Sequence, residues 1–218
     1  MSIQALRKAS DEIFDTRSKL LNAAEQLLIE SGFAGMSARA TAKSAGVNIA
    51  AMRYHFGSKQ GLFEAVVKGR IAPVNAQRLR RLTVAEAEHP GSVQAVLDAF
   101  LWPVFQAQSD TAARLLMARV MAEPAEIADP VLASLFEEVV TQFTQALHRC
   151  LPDYSPSIIA HKLLFVVGAM SFTVLNSIPS HFKVSSNGNP SFQELLAFCV
   201  GGFLASLEDA QNLSQRST

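Results

Sequence analysis

Groups able to hold a polyanion cluster between positions 37 and 59. Ser37, Arg39, Asn48, Arg53, Tyr54, His55 and Lys59 bring hydroxyl, guanidinium, amide, phenol, imidazole and ammonium donors onto one short stretch of chain. Donors of these kinds hold phosphate oxygens, and an amide or a guanidinium fork also reads base edges. Ile49, Ala51 and Met52 lie among them and complete a small face that suits a major groove. The chemistry suggested is recognition of nucleic acid, not the making of bonds.

Catalytic and metal-binding arrangements lack their spacing. The chain has no G-x-S-x-G elbow, no GxGxxG, no Walker loop and no H-E-x-x-H. Gly57-Ser58-Lys59 looks like a fragment of a phosphate loop, but the upstream Gly and a preceding strand are missing. His55, His89, His148, His161 and His181 are dispersed. His148 and Cys150 are two positions apart, so a helix points them to different faces. Glu137-Glu138 reads as a solvated face rather than an acid/base couple, and Asn212-Leu213-Ser214 matches a glycosylation acceptor only formally. No catalytic residue, metal site or cofactor is expected, and the protein is read as not an enzyme. The rival reading is an enzyme or carrier that holds an apolar or acyl compound in a helical bundle.

The elements that position the polyanion-binding groups are helices, and the fold class is all-α. Leu20, Leu21, Ala24, Leu27 and Leu28 recur with helical period over 17–31, and Gly32 follows as a left-handed stop. Ser37 predicts the cap of a short helix over 38–44, Gly46 permits a sharp reversal, and Asn48 caps a third helix to about His55. Gly57-Ser58 repeats the stop and cap, and a fourth helix runs from Lys59. Two short helices joined by a tight turn containing Gly are the sequence form of a helix-turn-helix, although a plain three-helix bundle has the same punctuation. Longer helices are expected over 92–108, 110–121, 130–151, 156–178 and 191–210, with Pro73 and Pro103 inside helical pattern as kinks or restarts.

Charge sharpens this. The chain carries 19 basic and 19 acidic side chains, a formal charge of zero that by itself speaks against a polyanion partner. The average hides an asymmetry: residues 1–81 hold 13 Lys/Arg against 6 Asp/Glu, and residues 82–218 hold 6 against 13. A basic end of +7 and an acidic remainder of −7 point towards nucleic acid at the amino-terminal end, or else to two solvated surfaces of opposite sign. Two cysteines, Cys150 and Cys199, cannot form a disulfide framework; with no apolar h-region in the first thirty residues, a cytoplasmic setting is expected. The most apolar runs, 163–175 and 195–207, fall short of the roughly 20 residues that span a bilayer, so no membrane partner is expected.

Ala23-Ala24, Leu27-Leu28, Glu30-Ser31-Gly32-Phe33, Ser37, Ala42, Ala45-Gly46-Val47 and Tyr54-His55-Phe56-Gly57-Ser58-Lys59 together resemble the amino-terminal domain of TetR-family transcriptional regulators. The likeness covers about 17–67. It is closest to the subgroup carrying the Tyr-His-Phe-Gly-Ser-Lys motif, which includes fatty-acid-responsive repressors. One departure stands out: Arg53 occupies the position where the family usually has a Tyr that touches phosphate. Arg53 can bind phosphate as a cation or reach a guanine edge with its fork. By position, Ser37 and Lys59 would face the DNA backbone at helix N-termini, with Arg39 and His55 as further phosphate partners. Tyr54 is open between core packing and a phosphate hydrogen bond, and Phe56 is read as core.

The resemblance implies a homodimer on a palindromic double-stranded operator, with a carboxy-terminal domain that dimerises and binds a small, largely apolar effector. The expected organisation is a flexible arm over 1–16, in which Arg7 and Lys8 are basic, and a helix-turn-helix DNA-binding domain over 17–62. An effector-binding and dimerisation domain follows over 63–211, and then a disordered tail over 212–218. Effector-pocket candidates are Trp102, Phe105, Arg114, Met117, Met121, Phe136, Phe143, Phe165 and Phe172, each of which is otherwise core. Arg114 and Arg119 could meet a ligand carboxylate or pair with Glu123. Small residues at Gly168, Ser171, Gly201, Gly202 and Ala205 predict close helix packing, either across a two-fold interface or within one subunit.

Overall fold

Leu20, Ala24 and Leu28 are fully buried, as their helical spacing requires, and they line one face of the first helix. The computed structural model describes residues 3–107, 109–174 and 191–205, with side chains from Asp15 onward. Among the described residues there are nine helices and no strand. They are α1 (Ile3–Gly35), α2 (Ala38–Ala45), α3 (Ile49–Phe56), α4 (Lys59–Glu88), α5 (Val93–Ala107), α6 (Thr111–Met121), α7 (Ala125–Cys150), α8 (Pro156–Val174) and α9 (Phe192–Leu204). His181, Ser206, Asn212, Ser214, the loop at 185–190, the helical continuations at 175–178 and 206–210 and the tail at 212–218 lie outside the described residues. So do the side chains of Arg7 and Lys8.

Several boundaries differ from the sequence reading. The arm expected over 1–16 is helical from Ile3, because no Gly or Pro interrupts that stretch and propagation adds a hydrogen bond per residue. Gly32 breaks α1 as expected, at φ 68°, and helix resumes to Gly35. Helix α7 starts at Ala125 and carries Pro130 inside it; the Pro124 carbonyl opens the helix by accepting from the Ile127 and Ala128 amides. Helices α4 and α5 likewise continue across Pro73 and Pro103. Helix α9 ends at Leu204, where Ala205 turns extended.

The described chain divides into two units. The first comprises residues up to Pro73 with Asp110–Leu135, and the second comprises Val74–Ser109 with residues from Phe136 on. The first unit buries Leu20, Leu28, Met36, Leu62, Phe63, Leu116 and Val120. Helix α6 therefore packs with α1, which sequence period alone could not announce. The second unit has a core from the end of α4, which gives Leu82 and Ala85, and from α5, α7, α8 and α9, centred on Leu97, Phe100, Phe143, Leu147, Ile159 and Phe203. Cys199 joins that core, and burial pushes its thiol up, as it does for Cys150. The apolar run expected to be short is part of a helix of 19 residues at mean hydropathy 1.7, long and apolar enough by length and composition to cross a membrane. One face of this helix, α8, nevertheless carries Ile159, Leu163, Val166 and Met170 into the core of a helical bundle.

Candidate nucleic-acid interface

Helices α2 and α3 are set by their caps. Ser37 accepts from the Ala40 amide at 3.1 Å and opens α2. Gly46, at φ 66° and ψ 31°, closes it; the Val47 amide reaches back to the Ala42 carbonyl at 3.0 Å, the six-to-one bond of a left-handed stop. Asn48 accepts from the Ala50 amide at 2.8 Å and opens α3, leaving its amide nitrogen able to donate outward. Ser58 does the same for α4 through the Gly61 amide. These stops and caps turn α2, α3 and α4 within about twenty residues, the form of a helix-turn-helix.

Around that turn, Ser37, Arg39, Asn48, Ile49, Arg53 and Tyr54 are exposed, Ala51 is half-buried, and Tyr54 keeps 76% of its surface. The core-packing alternative for Tyr54 is therefore removed. His55 is half-buried between the rings of Tyr54 and Phe56, at 5.1 and 6.0 Å. Phe56 is half-buried, with the Arg17 guanidinium 5.4 Å from its ring.

Two assignments need correction. Met52, expected on the exposed face, retains only 4% exposure and belongs to the core, because the helical turn points it away from the side that holds Arg53. Lys59 is half-buried and turned back on α1: its Nζ donates to the Ala34 carbonyl at 3.3 Å and sits 4.2 Å from the Phe33 ring centroid. A cation at that place satisfies the carboxy-terminal end of α1 rather than projecting outward.

Lys43 is a residue the sequence reading missed. It is exposed in the last turn of α2, four residues after Arg39, and that spacing was the available signal. Among the described residues, the ion pairs of this unit are Lys19–Asp15, Arg70–Glu25, Arg70–Asp110 and Arg119–Glu123. Arg39, Lys43 and Arg53 take part in none of them among the described residues. Three exposed cations without acidic partners thus line the short helices, a surface able to exchange counterions for phosphates.

The candidates in the rest of the chain are placed differently. Arg114, Met117 and Met121 lie on α6 in the first unit, where Met121 is 53% exposed. Of the two alternatives for Arg119, the structure shows the pair with Glu123. In the second unit Phe143 is fully buried core, edge-on to Phe100 at 5.0 Å. Trp102 and Phe105 pack on Phe192 at 4.8 and 5.4 Å, and Phe136 is half-buried. Phe165 and Phe172 are 74% and 50% exposed. The six second-unit candidates thus divide between core and surface rather than lining one cavity. A cleft of about 540 Å³ instead lies between the end of α4 and α5, lined by Arg80, Arg81, Val84, His89, Asp98 and neighbours. A smaller one of about 250 Å³ involves Lys162, Phe165, Phe198 and Phe203. Gly168, Gly201 and Gly202 face outward with open space where a side chain would begin, so their smallness is not used within the subunit.

Fold and surface together define a DNA-binding helix-turn-helix protein with a second helical unit. Residues 20–66 match the family model described as bacterial regulatory proteins of the tetR family, and residues 98–202 match that of the tetracyclin repressor-like carboxy-terminal domain. The chain belongs to the TetR family of transcriptional regulators, which bind DNA, act as dimers and are not enzymes. It is 26% identical over 173 residues to the nucleoid occlusion factor SlmA of Marinomonas sp. (strain MWYL1), covering 78% of this chain and 86% of that one. The fold is similar to a transcriptional regulator from Rhodococcus sp. Rha1, with TM-score 0.58, 22% identity and coverage of 86% and 95%. It is also similar to SmeT, the repressor of the Stenotrophomonas maltophilia multidrug efflux pump SmeDEF, with TM-score 0.60, 20% identity and coverage of 75% and 82%.

Proposed function

We propose that this regulator is a cytoplasmic repressor that binds a palindromic operator as a homodimer and is released by a small, largely apolar effector. The observation that carries the operator reading is the set of exposed cations Arg39, Lys43 and Arg53 on the two short helices, which take part in no ion pair among the described residues. In this reading Asn48, Ile49, Ala51 and Arg53 face base edges; Ser37, Arg39, Tyr54 and His55 hold phosphates. The effector-binding and dimerising functions belong to the region from 63 onward. Dimerisation is supported by an outward face on α8 and α9 that is apolar and small: Leu164, Phe165, Phe172 and Phe198 are exposed beside Gly168, Gly201 and Gly202. Ser171 and Ala205 extend the same face. The relation to SmeT, the repressor of a multidrug pump, supports an apolar effector, and the Tyr-His-Phe-Gly-Ser-Lys motif supports the fatty-acid-responsive subgroup.

Effector binding would be transmitted along α4, which continues from the first unit into the second through Pro73. By linkage, an effector that lowers operator affinity must itself bind less tightly to the DNA complex by the same factor. The test is selection of duplex sequences by the full chain, followed by gel-shift titration on the selected site. A palindromic consensus bound by a dimer is expected, and selection that returns no consensus would overturn the reading.

A further inference from the structure

Arg78 is the anomaly of the second unit. It sits on α4 with 2% of its surface exposed, among the largest fully buried side chains of the protein. Its Nε donates to the Phe100 carbonyl at 2.9 Å, Nη1 to Asn75 Oδ1 at 3.1 Å and Nη2 to the Met170 thioether at 3.4 Å. The guanidinium lies 4.2 Å from the Phe100 ring centroid and 5.9 Å from that of Phe136. Every partner is neutral, and no carboxylate pairs with it among the described residues. The other second-unit arginines with described ion pairs, Arg81 and Arg149, have Asp98 and Glu86.

A buried charge is strongly unfavourable unless a counter-charge or a full set of hydrogen bonds compensates it. Arg78 has five N–H donors and three acceptors, one of them a sulfur, which accepts weakly. Desolvation lowers its pKa only to about 10, so the cation persists at neutral pH. Nη2 is the poorly served corner, since its acceptor is the thioether of Met170, an unbranched side chain able to move aside.

We propose that Arg78 is the anion-binding residue of the effector site, and that the effector is a small apolar acid whose carboxylate replaces the Met170 thioether at the guanidinium. The inference rests on the effector-responsive reading above. It specifies the ligand: one carboxylate for the Arg78 fork, and an aliphatic or aromatic body that packs against Phe100, Phe136 and Met170. A neutral molecule of the same shape would leave the buried charge uncompensated, so the site discriminates by charge and not by size.

The test uses the full chain and two matched probe pairs, decanoate against decanol and phenylpropionate against phenylpropanol. Binding is followed by calorimetry and release of the selected operator by gel shift. At least one acid should bind roughly tenfold or more tighter than its alcohol. That preference should vanish in Arg78→Met, which removes the charge, and in Met170→Glu, which supplies a carboxylate from within the chain. Both variants are checked for a cooperative melt, so that one stands if the other fails to fold. Acid and alcohol binding equally to the natural protein would overturn the proposal and leave the apolar-effector reading intact. So would an acid preference that survives in a folded variant. If neither pair binds or releases operator, the effector reading falls together with the proposal.

Discussion

Glu123, just past the end of α6, accepts a hydrogen bond from the Phe33 backbone amide at 2.9 Å, one residue beyond the break in α1. The carboxylate also pairs with Arg119 at 3.3 Å, and its side chain is 9% exposed. A residue from the far part of the sequence thus caps the short helical stretch that resumes after Gly32. Glu123→Ala should destabilise the protein by about 1–3 kcal/mol, because it leaves a shielded amide and a guanidinium without their acceptor. Glu123→Gln keeps an oxygen for the amide and should cost less. Urea unfolding of the full chain measures both; equal losses would assign the effect to charge rather than to the cap.

The glycines at the two turns separate backbone strain from space. Gly32 and Gly46 both hold positive φ, at 68° and 66°. A side chain at Gly32 would collide with Arg119 and Glu123, whereas nothing lies within 4 Å of one at Gly46. Gly46→Ala should cost about 1–2 kcal/mol, the left-handed penalty alone. Gly32→Ala should cost more, because it also dislodges the Glu123 cap. Melting midpoints in the reverse order would show that the collision relaxes freely.

On the candidate DNA surface, Arg39→Ala and Lys43→Ala should each weaken operator binding and flatten the slope of log affinity against log salt by about one unit, whereas Arg53→Ala should weaken binding and relax specificity at the base it faces. Met52→Ala should act on stability instead, at about 2–5 kcal/mol, since its side chain is core. Lys59→Ala should lower stability through the lost contact with the Ala34 carbonyl, with little change in salt slope. Gel shifts across salt concentrations, paired with melts, distinguish the two classes.

What was legible in the sequence follows from local physics. Ser37, Gly46 and Asn48 bound α2 and α3 because caps and left-handed stops act over a few residues. Phase over one turn was not legible: Met52 and Arg53 are neighbours, and only the packing of α3 on α1 and α2 decides which of them is buried. Lys59 looked like a phosphate ligand because its position at a helix start is visible, while the Ala34 carbonyl it reaches is a tertiary fact. The pairing of α6 with α1 and the burial of Arg78 among neutral acceptors were invisible for the same reason.

Asp110 gives a pH signature. It caps α6 by accepting from the Ala113 amide at 3.1 Å and pairs with Arg70 at 3.0 Å. The amide hydrogen bond, aided by Arg70, holds its carboxyl below the usual range. Because the folded pKa is depressed, its contribution is present above the unfolded value near 3.8 and is lost as pH falls through the folded value. Asp110→Asn keeps a capping oxygen but loses the charge. Its melting temperature should lie below that of the natural protein at neutral pH and converge with it in acid. A constant gap across that range would place the effect elsewhere.

The outward face of α8 and α9 gives the sharpest test of assembly. Phe165 and Phe198 are 74% and 72% exposed, and Lys162 fixes the two helices to each other by donating to the Gly202, Phe203 and Ala205 carbonyls at the end of α9. A two-fold interface uses the same patch twice, so each substitution counts twice. Burying a Phe is worth about 1.5–3 kcal/mol, and Phe165→Glu or Phe198→Glu also places like charges near the axis. Each should raise the dimer dissociation constant roughly a hundredfold or more. Neither residue belongs to the core, so the melt should stay cooperative while operator affinity falls, because a monomer engages one half-site instead of two. Sedimentation that finds both variants dimeric at micromolar concentration would remove this face as the interface. It would leave the exposed phenylalanines without a role in the subunit.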